Sequence, residues 1–139
     1  KRRTIAYPWV GSAIRSTSDL LKSNLPKYGH NIKFEERWTR AILGHGVRNW
    51  KYDGMLGMHV LDNRRDITGL KFLVFSVLGQ DAYDSHISPY LKSGGGGNAD
   101  NRIQALDLDQ LLLYNGLDAY WEYLMAEREI VNGALGIKV

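Results

Sequence analysis

The sequence carries a phenolic hydroxyl and a carboxylate four residues apart near its carboxyl end, in Tyr114 and Asp118. Four residues span about one helical turn, so on a helix both side chains project from one face and can converge on one ligand. The same spacing is also found where the tyrosine is a core aromatic and the aspartate is a charge in contact with solvent. The pair alone therefore predicts shared geometry and leaves its chemistry open.

A second polar group lies at residues 29–35, where a short predicted strand turns into a helix. Ligand sites in open α/β sheets are often found at such strand ends. His30, Asn31 and Glu35 are therefore candidates for binding. A structural role fits the same residues, because Asn31 can cap the helix and Glu35 suits the positive helix N-terminus.

The elements that must position these residues alternate between strands and helices. β-Branched and aromatic residues predict short strands at residues 4–9, 27–30 and 49–52. Helices are predicted to begin near Ser16, which has capping-box character, and at Ile32. This order of strands and helices predicts an α/β fold in which helices pack on a small mixed sheet.

Three further helices follow in the second half of the chain. Asp53 and Thr68 are placed to cap the first two, and Asp107 with Gln110 caps a long helix that runs to about residue 130. The residues of the second of these helices, 70–78, have apolar spacing typical of a core face. The glycine run in residues 93–98 predicts a flexible loop.

The composition of the chain limits the classes of protein to which it can belong. The 139 residues contain no cysteine, which excludes disulfides and zinc–thiolate sites, and their formal charge of +3 is compatible with a polyanionic partner. No apolar run approaches the ~18 residues of a membrane span. We therefore expect one domain in the cytoplasm of a cell.

Three segments in one order strengthen the functional interpretation. They are Gly-His-Asn-Ile-Lys-Phe-Glu at 29–35, Asp-Gly-Met-Leu at 53–56, and Tyr-Asn-Gly-Leu-Asp at 114–118. Together they resemble the second motif, the following helix start and the third motif of the DEDDy 3′–5′ exonucleases, the proofreading domains of bacterial and phage family A DNA polymerases. The resemblance spans nearly the whole chain and implies a ribonuclease H-like exonuclease fold.

The resemblance also implies roles for individual residues. Glu35 and Asp118 would be metal-ligating carboxylates, and Tyr114 would orient the attacking water. His30, Asn31 and Phe34 would contact the terminal nucleotides of single-stranded DNA at its 3′ end. The family's chemistry uses two Mg²⁺ or Mn²⁺ ions, and carboxylate oxygens are the ligands that such ions prefer.

The chain departs from the family pattern in two ways. Glu35 stands where aspartate is commoner, and no Asp-x-Glu occurs anywhere in the sequence, although the family's first motif supplies two carboxylates. Residues 4–9 resemble the family's third strand, so the first two strands are expected upstream. We expect a complementary chain, or a DNA polymerase domain and its upstream segment, to complete the fold and cover its open sheet edge.

Two alternatives remain open at this point. The chain can be a catalytically incomplete half that binds single-stranded DNA or serves only as structure, because its two carboxylates cannot fill all the positions that the family's motifs require. An RNase D-like ribonuclease shares the same motif chemistry, although the residues at 53–56 and 69–70 favour the exonuclease domains of DNA polymerases.

Overall fold

The structure is a computed structural model, and it describes residues 2–91 and 101–131. It is a mixed α/β arrangement dominated by helices. In chain order the elements are α1 (Gly11–Lys22), β1 (Lys27–Gly29), α2 (Ile32–Leu43), β2 (Trp50–Asp53), α3 (Gly54–Leu61), α4 (Leu70–Leu78), α5 (Ser88–Leu91), a 3₁₀ helix (Ile103–Ala105) and α6 (Leu108–Val131). The predicted glycine loop at 93–98 lies outside the described residues.

The sheet consists of two parallel strands in the part of the chain that the structure describes. Tyr28 is paired with Tyr52 and Gly29 with Asp53, after an irregularity between Lys27 and Tyr28. The expected mixed sheet is therefore wrong for these residues, because helix α2 connects the strands and such a crossover makes them parallel. Both strands consequently end at the same edge, where β1 leads into α2 and β2 leads directly into α3.

The predicted first strand is also wrong. Residues 4–9 adopt no regular structure, and Ile5 is 81% exposed. No described strand lies beside this segment to pair with it, and Pro8 lacks a backbone donor. The segment instead lies along α6, where Arg2 forms an ion pair with Glu127 and Thr4 lies near Gly116.

The other predicted elements differ from the observed ones mainly at their ends. Helix α1 begins at Gly11, so Ser16 lies inside it and does not cap it. Asp107 caps α6 as predicted, accepting from the backbone N–H of Asp109 at 3.1 Å. Thr68 does not cap α4, since Gly69 occupies the N-cap position without a side-chain bond.

The core is formed where α4 packs on α6. Leu73 and Val74 of α4 and Met125 of α6 are fully buried, and Trp121 packs against them. The predicted apolar face of α4 is therefore confirmed at its centre, with Val77 more exposed. This contact fixes α6, and with it Tyr114 and Asp118, relative to the rest of the molecule.

A buried polar contact joins β2 to the end of α6. The Tyr52 hydroxyl donates to Glu129 Oε2 at 2.5 Å, and Glu129 is only 3% exposed. Helix α3 approaches this pair so closely that a Cβ on Gly57 would lie 2.0 Å from the Tyr52 hydroxyl oxygen. Any larger residue at 57 would therefore have to displace Tyr52.

The free energy of unfolding is expected to fall as the pH rises through the titration of Glu129. Burial raises the pKa of Glu129 from 4.5 to about 7. Between those values the folded chain holds a proton that the unfolded chain has released, so its stability is full below about pH 4.5 and is lost towards pH 7. The loss is at most roughly 3 kcal/mol.

Denaturant unfolding at several pH values measures this dependence. Glu129→Gln should make the dependence shallower over the same interval, and the part that remains belongs to Glu122, whose pKa burial also raises to about 7. Tyr52→Phe should steepen it, because the Tyr52 hydroxyl favours the charged carboxylate and so lowers its pKa. A wild-type slope in Glu129→Gln would show that Glu129 is not the group responsible.

Candidate functional site

The ends of the two strands are joined by the carboxylate of Asp53. Its Oδ1 accepts from the backbone N–H of Asn31 at 2.9 Å, and its Oδ2 accepts from Ile32 at 3.1 Å. Within its own helix start, Oδ1 also accepts from Met55 at 3.0 Å and Leu56 at 3.3 Å. One buried carboxylate thus caps both α2 and α3, and the cap of α3 was predicted from the sequence.

Asn31 is placed by this contact and makes no cap of its own. Its backbone is left-handed, with φ 69°, and its side chain makes no capping bond to α2. Asparagine tolerates this conformation better than most residues. The chain therefore turns sharply between His30 and Ile32, and the side chains of residues 30 and 35 lie at the same edge of the sheet.

His30 is held at this edge by the segment before α4. Its Nε2–H donates to the carbonyl of Thr68 at 2.8 Å. Burial lowers the pKa of His30, while the negative charges of Asp53 and Asp118 act in the opposite direction. His30 therefore lies within electrostatic reach of Asp118.

Glu35 lies in the first turn of α2 and is partly buried. Its Oε2 is inaccessible to solvent and has no hydrogen-bond partner among the described residues. Burial raises the pKa of Glu35, and the charge of Asp53 adds to the rise. A buried carboxylate oxygen without a donor is unfavourable by itself, which makes Glu35 a candidate ligand for a cation.

Tyr114 and Asp118 lie on one face of α6, as their spacing predicts, and each is held by a residue outside α6. Lys71 of α4 donates to the Tyr114 hydroxyl oxygen at 2.9 Å. Tyr83 donates its hydroxyl to Asp118 Oδ1 at 2.6 Å. Lys71 Nζ also lies 3.5 Å from Asp84 Oδ2. These contacts fix both Tyr114 and Asp118 from α4 and the segment that follows it.

Glu122 belongs to the same site and was not identified from the sequence. Burial raises the pKa of Glu122 to about 7, and the charges of Glu35 and Asp118 are the next largest causes. Glu35 of α2 and Asp118, one turn earlier on α6, therefore lie within electrostatic reach of Glu122. The signal was present, because residues 114, 118 and 122 continue one stripe at four-residue spacing along α6.

The predicted site residues thus fall into two groups. His30 and Glu35 follow the end of β1, and Asp118 lies within electrostatic reach of His30, with Tyr114 one turn before it. Phe34 lies at the outer surface of α2 and is 64% exposed. Its side chain is accessible to a ligand and lies beside the apolar side chains of Leu21, Trp38 and Trp50.

The donor chemistry of this edge suits a hard divalent cation. Residues 2–91 and 101–131 contain no group of three or more His, Cys, Asp or Glu side chains already arranged to hold a metal ion. Glu35 and Asp118 nevertheless offer carboxylate oxygens, and Glu35 Oε2 lacks a partner. The chemistry of these two carboxylates is compatible with a hard cation such as Mg²⁺ or Mn²⁺.

Comparison of the chain with protein-family models, with curated proteins and with solved structures finds no match. Within the described ranges, none of the helices combines the length and apolar character that crossing a bilayer requires. Function is therefore inferred from the residues and from their geometry.

Proposed function

We propose that this chain is the greater part of a metal-dependent 3′–5′ exonuclease domain that removes nucleotides from DNA 3′ ends, as proofreading domains of family A DNA polymerases do. The observation that carries the proposal is the buried Glu35 Oε2 without a hydrogen-bond partner, together with Glu35 and Asp118 both lying within electrostatic reach of Glu122. Tyr114, one turn before Asp118, completes the set that the motifs imply. A ribonuclease H-like fold is part of the same proposal.

Each residue has a role that follows from its contacts. Two Mg²⁺ or Mn²⁺ ions at the carboxylates would activate the attacking water and stabilise the leaving oxygen. Lysine Nζ has only donors, so the Tyr114 oxygen accepts from Lys71, and the hydroxyl held in this way would orient the attacking water. Asp118 has one oxygen bonded to Tyr83, which leaves Oδ2 for a cation. His30 and Asn31 would face the terminal nucleotides.

The site needs further carboxylates, which we propose come from a segment that pairs with the outer edge of β1. In the described part of the chain β1 has β2 as its one neighbouring strand. The outer face near Tyr28 is open, and a surface cavity beside it is lined by Tyr28, Ala119, Glu122 and Tyr123. A strand added there would cover these side chains and would run beside Glu122. An upstream segment, a complementary chain or a DNA polymerase partner can supply it.

A nuclease assay tests this function. The protein is incubated with a 5′-labelled single strand of DNA, alone and together with the polypeptide encoded immediately upstream, in Mg²⁺ and in EDTA. The proposal predicts stepwise shortening from the 3′ end in Mg²⁺ and none in EDTA. Binding of DNA that is equal in Mg²⁺ and EDTA, with no hydrolysis in either mixture, would contradict it.

The second candidate function is binding of single-stranded DNA without hydrolysis, and one observation favours it. Asp118 Oδ1 is already bonded to Tyr83, and the described residues hold no ready group of three metal ligands. Under this alternative the carboxylates would keep Lys71 and Tyr83 in place. The equal-binding outcome of the same assay is the result that it predicts.

Lys71→Met is expected to lower kcat roughly tenfold with little change in KM, because it removes the donor that fixes the Tyr114 hydroxyl during reaction. Lys71→Arg, which keeps a donor, should recover part of the rate. Lys51 is exposed on β2, so Lys51→Met serves as the matched loss of one positive charge. Steady-state kinetics measure all three, and equal losses in Lys71→Met and Lys51→Met would refute the positioning role.

A further inference from the structure

A serine and a histidine outside the candidate site are hydrogen-bonded to each other. The Oγ atom of Ser18, on α1, lies 2.8 Å from Nε2 of His45. The other ring nitrogen, Nδ1, lies 2.9 Å from the carbonyl oxygen of Gly46. A carbonyl oxygen only accepts, so Nδ1 carries the proton, and in the neutral ring Nε2 accepts the hydroxyl proton of Ser18. The two contacts together favour the histidine tautomer that can act as a base towards Ser18.

This arrangement has the parts of a nucleophile and its base. A serine hydroxyl is a weak nucleophile, and it is activated by a base within hydrogen-bond reach that a third group holds in orientation. Ser18 supplies the hydroxyl, His45 is the base, and the carbonyl of Gly46 is the orienting group. Ser18 and His45 are each half-buried. The pair is therefore partly shielded from water and still accessible to a small substrate.

An apolar cavity of about 290 Å³ lies beside this pair. Leu21, three residues after Ser18 on α1, and Val47, two residues after His45, both line it. Residues three apart on a helix share a face, so Ser18 lies next to the cavity on its α1 side. The remaining walls include three aromatic side chains, which are Phe34, Trp38 and Trp50.

The size and walls of the cavity limit what it can hold. Its volume lies near the lower end of the ~300–1,000 Å³ typical of small-molecule sites. Its surface is formed almost only by carbon atoms, so an apolar group loses contact with water on entering and gains contact with the aromatic rings. A short aliphatic chain or a single ring therefore suits the cavity.

A positive charge lies close to the serine and the histidine. A Cβ on Gly46 would lie 2.7 Å from Nη2 of Arg40, so the guanidinium lies against the residue whose carbonyl orients His45. Arg40 also pairs with Glu36 at 2.7 Å, but a guanidinium has five N–H donors and keeps others free for a further oxygen. It can therefore stabilise negative charge on a carbonyl oxygen that is under attack nearby.

We propose that Ser18 and His45 form a second site, which hydrolyses carboxylic esters with a short apolar acyl group. Ser18 Oγ attacks the ester carbonyl while His45 Nε2 takes its proton, and the bond to the alcohol breaks as His45 returns that proton to the departing oxygen. Water then attacks the acyl–serine ester with His45 again as base, which releases the carboxylic acid and restores Ser18. The acyl group lies in the apolar cavity. The proposal does not depend on the exonuclease function, because it uses neither Asp118 nor a cation.

Hydrolysis of p-nitrophenyl butyrate in EDTA tests this site. The protein is expected to release p-nitrophenol faster than buffer alone, with a burst of about one equivalent per chain as Ser18 is acylated. His45→Gln keeps an oxygen that can accept from Ser18 but removes the base, so it should lower the rate about a hundredfold. Ser18→Ala should abolish the burst.

Matched variants separate this chemistry from the reactivity of surface side chains. Ser16 and His59 are exposed, so Ser16→Ala and His59→Gln should keep the unaltered rate. Val47→Phe fills the cavity and leaves the serine and the histidine in place. It should therefore slow hydrolysis of the butyrate ester more than that of the smaller acetate ester.

Labelling with an alkyl fluorophosphonate gives a readout that a purely structural hydrogen bond would not produce. Ser18 Oγ should displace fluoride and carry one phosphonyl group, which mass spectrometry of the peptides locates, whereas Ser16 should stay unlabelled. His45→Gln should slow the labelling in the same proportion as the hydrolysis. An unlabelled Ser18, the absence of a burst, or equal hydrolysis by Ser18→Ala and the unaltered protein would overturn the proposal.

Discussion

Replacing Asp118 by asparagine is expected to reduce Mg²⁺-dependent removal of 3′ nucleotides by about a thousandfold, or about 4 kcal/mol of transition-state stabilisation. The amide removes the negative charge that would hold a cation, but its Oδ1 can still accept from Tyr83. The fold around α6 should therefore be kept, and the loss should fall on kcat. Single-turnover kinetics on a labelled strand, with the completed domain, measure the effect.

The matched control for this variant lies on the same helix. Asp109 is exposed in the first turn of α6, far along the helix from Asp118, so Asp109→Asn removes the same charge without touching the site. It should keep the unaltered rate. Undiminished cleavage by Asp118→Asn would remove Asp118 from the metal site and with it the exonuclease assignment.

Replacing Asp53 by alanine is expected to have the largest effect on stability, lowering the free energy of unfolding by about 3 kcal/mol. Asp53 is only 8% exposed and caps two helices at once. Removing it leaves backbone N–H groups of both helix starts without acceptors, and each lost cap costs about 1–2 kcal/mol. The junction that presents His30 and Glu35 would loosen as well.

Asp53→Asn and Asp62→Ala define the cause of that loss. The asparagine keeps one oxygen but turns an NH₂ group towards backbone N–H donors. Asp53→Asn should therefore lose more than half of the free energy of unfolding that Asp53→Ala loses. Asp62 is an acidic residue at the surface that pairs with Arg64, and Asp62→Ala should change the free energy of unfolding far less than Asp53→Ala does, because water screens the exposed pair. Urea unfolding measures all three, and equal costs for Asp53→Ala and Asp62→Ala would contradict the double cap.

Local spacing predicted the parts of the fold that depend on neighbours in sequence. Asp53 was identified as a cap because backbone N–H donors follow it two and three residues later, and Tyr114 with Asp118 was identified as one face because four residues make about one turn. The bonds from Asp53 to Asn31 and Ile32 were not predicted. They exist because β1 and β2 pair in parallel and end together, which no local pattern records.

Partners that are distant in the sequence also explain the predictions that were wrong. Thr68 has the right residue type for a cap, but its carbonyl is used by His30, a contact across 38 residues. Residues 4–9 have strand-forming side chains, yet a strand forms only beside a partner, and no described strand is placed to pair with them. Lys71 and Tyr83 were missed because they reach Tyr114 and Asp118 only through the packing of α4 and the segment after it on α6. Glu122 was missed although it continues the four-residue spacing of Tyr114 and Asp118 along α6.

A crystal structure of the completed domain with Mn²⁺ is the most direct test of the central claim. It should place a metal ion within bonding distance, about 2.2 Å, of a carboxylate oxygen from both Glu35 and Asp118, with the Tyr114 hydroxyl beside it. Carboxylates of Glu35 and Asp118 that are separated by more than roughly 8 Å, or an Asp118 side chain directed away from Glu35, would contradict a shared metal site.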